Sequence, residues 1–484
     1  MNTTLLNRNS LFLIILFLVT LLSCEDLLEE RPKTVAEELF YNTPEEVETA
    51  VNAVYLPFKG ATWSELIARL DAHTDWGYGR GSRSILSNVQ GFTSIDEMND
   101  YWVNFYSIIR NANIVILNTK ENEKISTAQV ERFVAEVRFL RALAYYHLVR
   151  NYGAVPLRTE NNLKERDLMK SPVTDIYTFI REDLEYAETY LPETPSKSGK
   201  PGIYAAKTLL ADVYLTLGEY ANARDKADEV IKSNKYTLVS VTSEDDLRAN
   251  VFGPDLITSS EEIFYIKYTR QVGFGNWILW VLNHEASGHF NFGGAYAHYS
   301  DATNIFFVNW DENDLRKRLW DNIDFGLGAT TMVCGKYADT EAVDRSTGAG
   351  NDLPLMRYPD ALLIYAEASC MAANGPTAEG MEMLNQVHRR AYGIDPETVS
   401  SIDFKVGEYD ALSFQDLVLQ ERAYEFIFEG KRWYDLKRTG KANEIIGEAK
   451  KVTIPEKAYL WPIPSSELNY NQALDPKNDQ NFGY

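Results

Sequence analysis

The stretch from Ile203 to Lys232 constrains the fold more tightly than any other part of the chain. Leu210, Ala211, Tyr214, Gly218, Tyr220, Ala223 and Ala227 place small and aromatic side chains at helical spacing on both sides of one glycine. Small residues let two antiparallel helices approach closely, and Gly218 permits the turn between them. One such pair cannot bury its apolar face alone, so further helices must stack on it. A weaker copy runs from Ala361 to Arg390, with Tyr365, Ala366, Ala368 and a turn at Asn374-Gly375-Pro376.

This is the pattern of a tetratricopeptide helix pair, with a generic helical hairpin as the other reading, above all for the second copy, and the sequence around it is also helical. Thr43-Pro44-Glu45-Glu46 combines a cap residue, a first-turn proline and early acids, and Val47, Val51 and Val54 follow at helical spacing. A second helix is predicted from about Gln129 to Arg150, with Phe133, Val137, Leu140 and Ala144 on one face and a stop at Asn151-Tyr152-Gly153. A third spans about Val173 to Leu191 and closes at Pro192. From Tyr236 to about Pro354 the helical pattern breaks into glycines and short β-prone runs such as Ile263-Phe264-Tyr265-Ile266. The predicted fold is mainly α: a tetratricopeptide-like helical-pair scaffold carrying a long irregular insertion with short β segments. Insertions of that size in compact proteins are usually functional.

The N-terminus sets the compartment. A twelve-residue apolar block, Leu11 to Leu22, follows a single charge, Arg8. It is shorter than the roughly 20 residues a membrane-spanning helix needs and suits a signal-peptide core. It ends in Leu21-Leu22-Ser23-Cys24, which resembles the bacterial lipobox and implies acylation at Cys24. The acidic run from Glu25 to Glu30 resembles the signal that sends Bacteroidetes lipoproteins to the outer face of the outer membrane; a solvated tether is the other reading. With 70 acidic and 48 basic residues the net charge is −22, a field that repels nucleic acid. Three cysteines exclude a disulfide scaffold. Cys334 and Cys370 read either as buried small hydrophobes or as an extracytoplasmic disulfide.

The C-terminal stretch from Glu421 to Arg438 (ERAYEFIFEGKRWYDLKR) closely resembles the hallmark helix of SusD/RagB outer-membrane lipoproteins. So do Leu460-Trp461-Pro462-Ile463-Pro464, the terminal Gln480 to Tyr484, the run from Arg357 to Ala368, and Arg138 to Ala142 leading into Tyr152 to Leu157. These landmarks occur in the family's order across nearly the whole chain. Phe482 replaces the family's usual proline, and Pro359 stands where the helix often carries a small residue. The resemblance implies a surface lipoprotein that captures an oligosaccharide and delivers it to a SusC-like TonB-dependent outer-membrane transporter, over which it sits as a hinged lid. It divides the chain into a signal peptide (1–23), an N-terminal region (24–235), an insertion contributing to the ligand site (236–354) and a C-terminal region (355–484).

Catalysis finds little support in the residues. Glu421, Glu425 and Glu429 lie four apart on one helical stripe, where carboxylates approach at about 6 Å. Retaining glycosidases hold two carboxyls about 5 to 5.5 Å apart, so a surface glycosidase is one alternative. The flanking Arg422, Lys431, Arg432, Lys437 and Arg438 point instead to a bracing ion network. His284 and His289 are five apart, not the four that the zinc-protease motif requires. The sequence calls for no metal and no cofactor. A peptide-binding lipoprotein of the same fold is the remaining alternative.

A glycan receptor needs aromatic faces for stacking and a few polar side chains for orientation. Two stretches offer that mixture. In Asp75-Trp76-Gly77-Tyr78-Gly79-Arg80-Gly81-Ser82-Arg83 the alternating glycines preclude a helix, and Trp76 and Tyr78 are expected on a loop beside Asp75, Arg80 and Arg83, a Trp folded back onto the scaffold being the other reading. The resemblance points to the same loop. The second stretch, Gln271 to Trp310, carries 10 aromatics and only 2 charged residues, Glu285 and Asp301. Five glycines and three histidines in that window argue against a close-packed core element. Trp277 and Trp280 are the expected stacking faces, on one side of a helical turn, with His289, Asn291, Tyr296 and Tyr299 as edge contacts. A plug fastening the insertion to the scaffold is the alternative role for the two tryptophans.

Overall fold

The structure, a computed structural model, describes residues 40–484 except 121, 289, 292, 295 and 296, and leaves the side chain of Ser82 undescribed. The signal segment and Cys24 fall outside the described residues, as do His289 and Tyr296.

The scaffold is a succession of helices: α1 (Pro44–Val54), α2 (Ala61–Ala72), α3 (Asn99–Thr119), α4 (Thr127–Tyr152), α5 (Val173–Tyr190), α6 (Ile203–Thr216) and α7 (Tyr220–Ile231). After the insertion come α8 (Tyr358–Ala373), α9 (Ala378–Ala391), α10 (Ala411–Glu425), α11 (Arg432–Arg438), α12 (Ala442–Lys450) and α13 (Ser465–Tyr470). The expected start at Thr43 is present as a capping box: the Thr43 hydroxyl accepts from the Glu46 amide, and the Glu46 carboxylate accepts from the Thr43 amide. Gly218 takes the left-handed conformation (φ 73°) between α6 and α7, and Asn374 does the same (φ 55°) after α8. From α3 to α9 each helix packs on the next, so the two tetratricopeptide-like pairs abut through α7 and α8. The family departure at Pro359 is accommodated because it occupies the first turn of α8, where its missing N–H has no intrahelical partner.

The segment between α7 and α8 is organised by two sheets. Strand β1 (Tyr78–Gly79) belongs to the N-terminal region, where β2 (Val155–Pro156) and β3 (Lys170–Ser171) form a separate ribbon. Within the insertion, β4 (Glu262–Ile266) pairs antiparallel with β8 (Leu353–Arg357), closing the insertion near its ends. The β-prone Ile263-Phe264-Tyr265-Ile266 run is thus a strand, and its four residues are buried. β5 (His298–Asp301), β6 (Trp320–Asn322) and β7 (Thr331–Cys334) join β1 in a four-stranded sheet of order β1-β5-β7-β6.

A buried ion network fastens the insertion to the C-terminal helices. Arg357 donates to Glu429 (2.8 Å), Glu261 (3.2 Å) and Glu425. Arg390 bridges Glu261 (2.9 Å) and Glu425, Arg316 reaches Glu421 (2.6 Å) and Asp314 (2.6 Å), and Lys336 holds Glu429 (2.6 Å). Charges this deep are tolerated only because each finds an opposite partner. Cys334 and Cys370 are both free and buried, so the disulfide alternative is not realised. Burial pushes the Cys334 thiol up to about 12, leaving it an inert core residue. Among the described residues no helix is long and apolar enough to cross a membrane.

Candidate functional site

The two aromatic stretches singled out in the sequence meet in one sheet. Tyr78 pairs with Tyr299 and Gly79 with His298, and the Arg80 amide donates to the Ala297 carbonyl at 3.2 Å. The glycines of the first stretch let the loop fold back tightly on its own flanks: a Cβ on Gly77 would lie 2.0 Å from the Asp71 carbonyl oxygen, and one on Gly79 2.6 Å from Arg83. Across the sheet the Tyr78 and Tyr299 rings stack with centroids 5.7 Å apart and planes inclined by 25°. Phe325 meets Tyr299 edge-on at 6.1 Å and stacks on His284 at 4.7 Å. The Arg80 guanidinium lies 2.6 Å from His284 Nε2. Burial first, and then the Arg80 charge, hold the imidazole below its ordinary value, so it is neutral at pH 7. The result is a row in which the half-buried rings of Tyr78 and Tyr299 are backed by the buried Phe325 and His284, with the Arg80 guanidinium at its end.

The row is held from beneath. Asn304 donates to the Tyr78 hydroxyl at 3.0 Å and to the Asp75 carbonyl at 2.9 Å. The Lys450 ammonium lies 4.7 Å from the Tyr78 ring centre and donates to the carbonyls of Ala72 (3.0 Å), Gly77 (2.6 Å) and Ser87 (3.1 Å). Three carbonyls converging on one buried ammonium fix the path of the loop that carries Tyr78.

A second platform adjoins the first along the chain. Trp277 precedes the short helix Ile278–Leu282, on which Trp280 sits, and Asn283 and His284 follow it directly. Both indoles are half-buried, and the Arg345 guanidinium lies 5.1 Å from one ring centre and 5.2 Å from the other. Gly294 backs Trp280 so closely that a Cβ there would lie 2.3 Å from the Trp280 carbonyl oxygen. Asn291 is exposed, and its amide donates to the Thr340 carbonyl.

Two expectations are corrected. Trp76 is fully buried, caged by Phe428 (5.0 Å), Trp320 (5.7 Å) and Phe306 (6.2 Å), and presents no face to a ligand. Asp75 is buried too, and its carboxylate is committed to Arg432 at 2.8 and 3.0 Å. Arg83, also placed beside the loop, pairs with Glu65 at 2.9 Å. Sequence reasoning missed Phe325, His284, Asn304, Arg345 and Lys450. Phe325 carried a signal, since it lies within the glycine-rich Asp324-Phe325-Gly326-Leu327-Gly328 loop; the others did not stand out from their neighbours.

The Glu421, Glu425 and Glu429 stripe is not arranged as the carboxylate pair of a glycosidase. Burial pushes the Glu425 carboxyl up, but Arg390, Arg357 and Arg316 together outweigh it and hold the group well below the usual carboxylate range. Glu421 and Glu429 are also lowered, each against its burial, by Arg316 and by Arg357 respectively. A general acid needs the opposite shift, and these three carboxylates are buried away from any substrate. The aromatic rows can do something else: stack on the C–H faces of a neutral sugar while guanidinium groups meet its hydroxyls.

Comparison with known proteins yields two family matches. The model of the SusD family matches residues 307–484, and one described as "Starch-binding associating with outer membrane" matches residues 27–215. SusD-like protein P2 of Formosa agariphila is 28% identical over 514 residues, covering 96% of this chain and 98% of that protein. A SusD superfamily protein from Parabacteroides distasonis superposes with a TM-score of 0.73 at 25% identity, covering 93% of this chain and all of the other. Surface glycan-binding protein A from Bacteroides thetaiotaomicron, solved in complex with laminarihexaose, superposes with a TM-score of 0.74 at 20% identity over 90% of this chain and 99% of that one.

Proposed function

The chain belongs to the SusD/RagB family of outer-membrane proteins, and from that premise we propose that it captures an oligosaccharide at the cell surface and delivers it to a SusC-like TonB-dependent β-barrel transporter. The observation that carries the capture half is the stacked, half-buried pair Tyr78 and Tyr299, brought together from two distant segments, backed by the buried Phe325 and flanked by Arg80. Trp277 and Trp280, joined by Arg345, supply a second platform that neighbours it along the chain, and Asn291 is a peripheral contact. The starch-binding description of one matching family and the laminarihexaose complex of a protein of the same fold support a glycan as ligand. Delivery to the transporter rests on family membership alone. The anchor is a lipid on Cys24, and the membrane is met through it.

Probing a glycan array with the purified protein tests capture: retention on at least one oligosaccharide is expected, and a blank array contradicts the reading. Chromatography of the retained glycan after prolonged incubation distinguishes capture from cleavage. Clickable fatty-acid labelling should tag the wild type and not Cys24→Ala. Extraction in mild detergent should recover a large outer-membrane barrel in near-equal amount; recovery of the lipoprotein alone counts against the partnership.

A further inference from the structure

A groove remote in sequence from the aromatic rows lies between α3, the loop from Arg158 to Lys164, and α13. It encloses about 680 Å³, within the range of roughly 300 to 1,000 Å³ typical of small-ligand sites. Its walls include the half-buried ring of Tyr106 and the largely exposed ring of Tyr470. Tyr106 spends its hydroxyl on the Pro156 carbonyl at 2.8 Å, leaving the ring as its contribution to the wall.

The charge of the groove runs against that of the molecule. Arg110, Arg158 and Lys164 face a single acid, Glu467, in a chain of net charge −22. Arg158 donates to the carbonyls of Glu165 and Arg166 at 2.9 Å each and lies 3.9 Å from Glu467. Arg110 and Lys164 are exposed, and among the described residues neither side chain has a hydrogen-bond or ion-pair partner. Two unengaged cations, two tyrosine rings and a volume of this size match a compact anionic ligand. A folded protein partner would instead cover about 800 Å² of surface.

We propose that this groove is a second ligand site that takes a short anionic oligosaccharide, its carboxylate or sulfate ester held by Arg110 and Lys164 and a sugar ring held against Tyr470. Guanidinium and ammonium groups recognise both kinds of anion, and an aromatic face recognises the pyranose they sit on. The site shares no residue with the Tyr78 and Trp277 platforms, so it stands or falls separately from them.

Calorimetric titration with trigalacturonic acid, with a chondroitin sulfate disaccharide and with inorganic sulfate tests the proposal. Binding of either saccharide is expected, the one that binds naming the anion. Arg110→Ala combined with Lys164→Ala should weaken it about tenfold or more and flatten its dependence on salt. Tyr470→Ala should weaken the saccharides but not inorganic sulfate. All three side chains are exposed, so the variants should fold, and Tyr299→Ala should leave this binding intact. Failure of both saccharides to bind overturns the proposal. So does equal affinity for inorganic sulfate, insensitivity to the double substitution, or binding of an oligo-aspartate peptide in place of either sugar.

Discussion

Replacing Arg357 with methionine removes the hub of the buried network while roughly preserving the volume of its aliphatic stem. The guanidinium makes two bonds of 3.1 Å and one of 2.8 Å to the Glu429 carboxylate, one of 3.2 Å to Glu261 and one to Glu425, and it also donates to the Glu425 carbonyl at 2.7 Å. Every carboxylate keeps at least one other cation: Lys336 on Glu429, Arg390 on Glu261, and both Arg390 and Arg316 on Glu425. The loss is therefore that of one partner in a buried cluster, which costs about 3 to 5 kcal/mol. Urea denaturation followed by tryptophan fluorescence should show that decrease as a lower midpoint with an unchanged slope. The charge argument makes a sharper demand on a double-mutant cycle. In a Glu429→Gln background the same substitution should cost less by about 1 to 3 kcal/mol, because the carboxylate to which Arg357 makes the most hydrogen bonds no longer needs its charge balanced. A single-mutant loss below about 1 kcal/mol, or strict additivity in the cycle, would refute the view that these glutamates are structural charges.

Three further outcomes follow from the same geometry. Burial holds the ammonium groups of Lys437 and Lys450 down to about 7, so between that pH and the unfolded value the unfolded chain binds more protons and stability rises with pH. Between pH 7.5 and 8.5, where thiol ionisation in the unfolded chain is common to both proteins, Lys450→Met should flatten the stability slope by about 1.4 kcal/mol per pH unit; parallel profiles would contradict this. Trp76→Ala should cost about 3 to 5 kcal/mol in urea denaturation, as expected for emptying a cage of three aromatic rings, and a near-neutral result would return Trp76 to the surface. Gly77→Ala should lower stability by about 1 to 3 kcal/mol and weaken glycan binding together, since the added methyl must push the Tyr78 loop away from the Asp71 carbonyl.

How far the fold was legible depended on whether the deciding interaction was local. The α6–α7 pair was readable because its small residues and Gly218 carry their reason with them, and the cap at Thr43 was complete within four residues. The site was legible as two stretches and not as one surface. Alternating glycines around Tyr78 signal a close approach, but not that the partner strand is the one carrying Tyr299. Trp76 and Tyr78 looked equivalent on that loop. Their opposite fates are set by Phe306, Trp320 and Phe428 on one side and by Tyr299 on the other, all distant in sequence. Asp75 was misread for the same reason, its partner Arg432 lying at the far end of the chain. Trp277 and Trp280 do share a side, as their spacing of three predicts, and Arg345 spans both.

The central claim is that aromatic faces brought together by β1 and β5 hold a sugar. Isothermal titration of the best array ligand into the wild type, Tyr78→Ala, Tyr299→Ala, Trp277→Ala and Trp280→Ala, with melting temperatures measured alongside, tests it most directly. Each substitution of a stacking face should weaken binding by about 1 to 3 kcal/mol and leave the melting temperature nearly unchanged. Affinity retained across all four variants, with melting temperatures that fall, would make these rings core of the insertion and contradict the account.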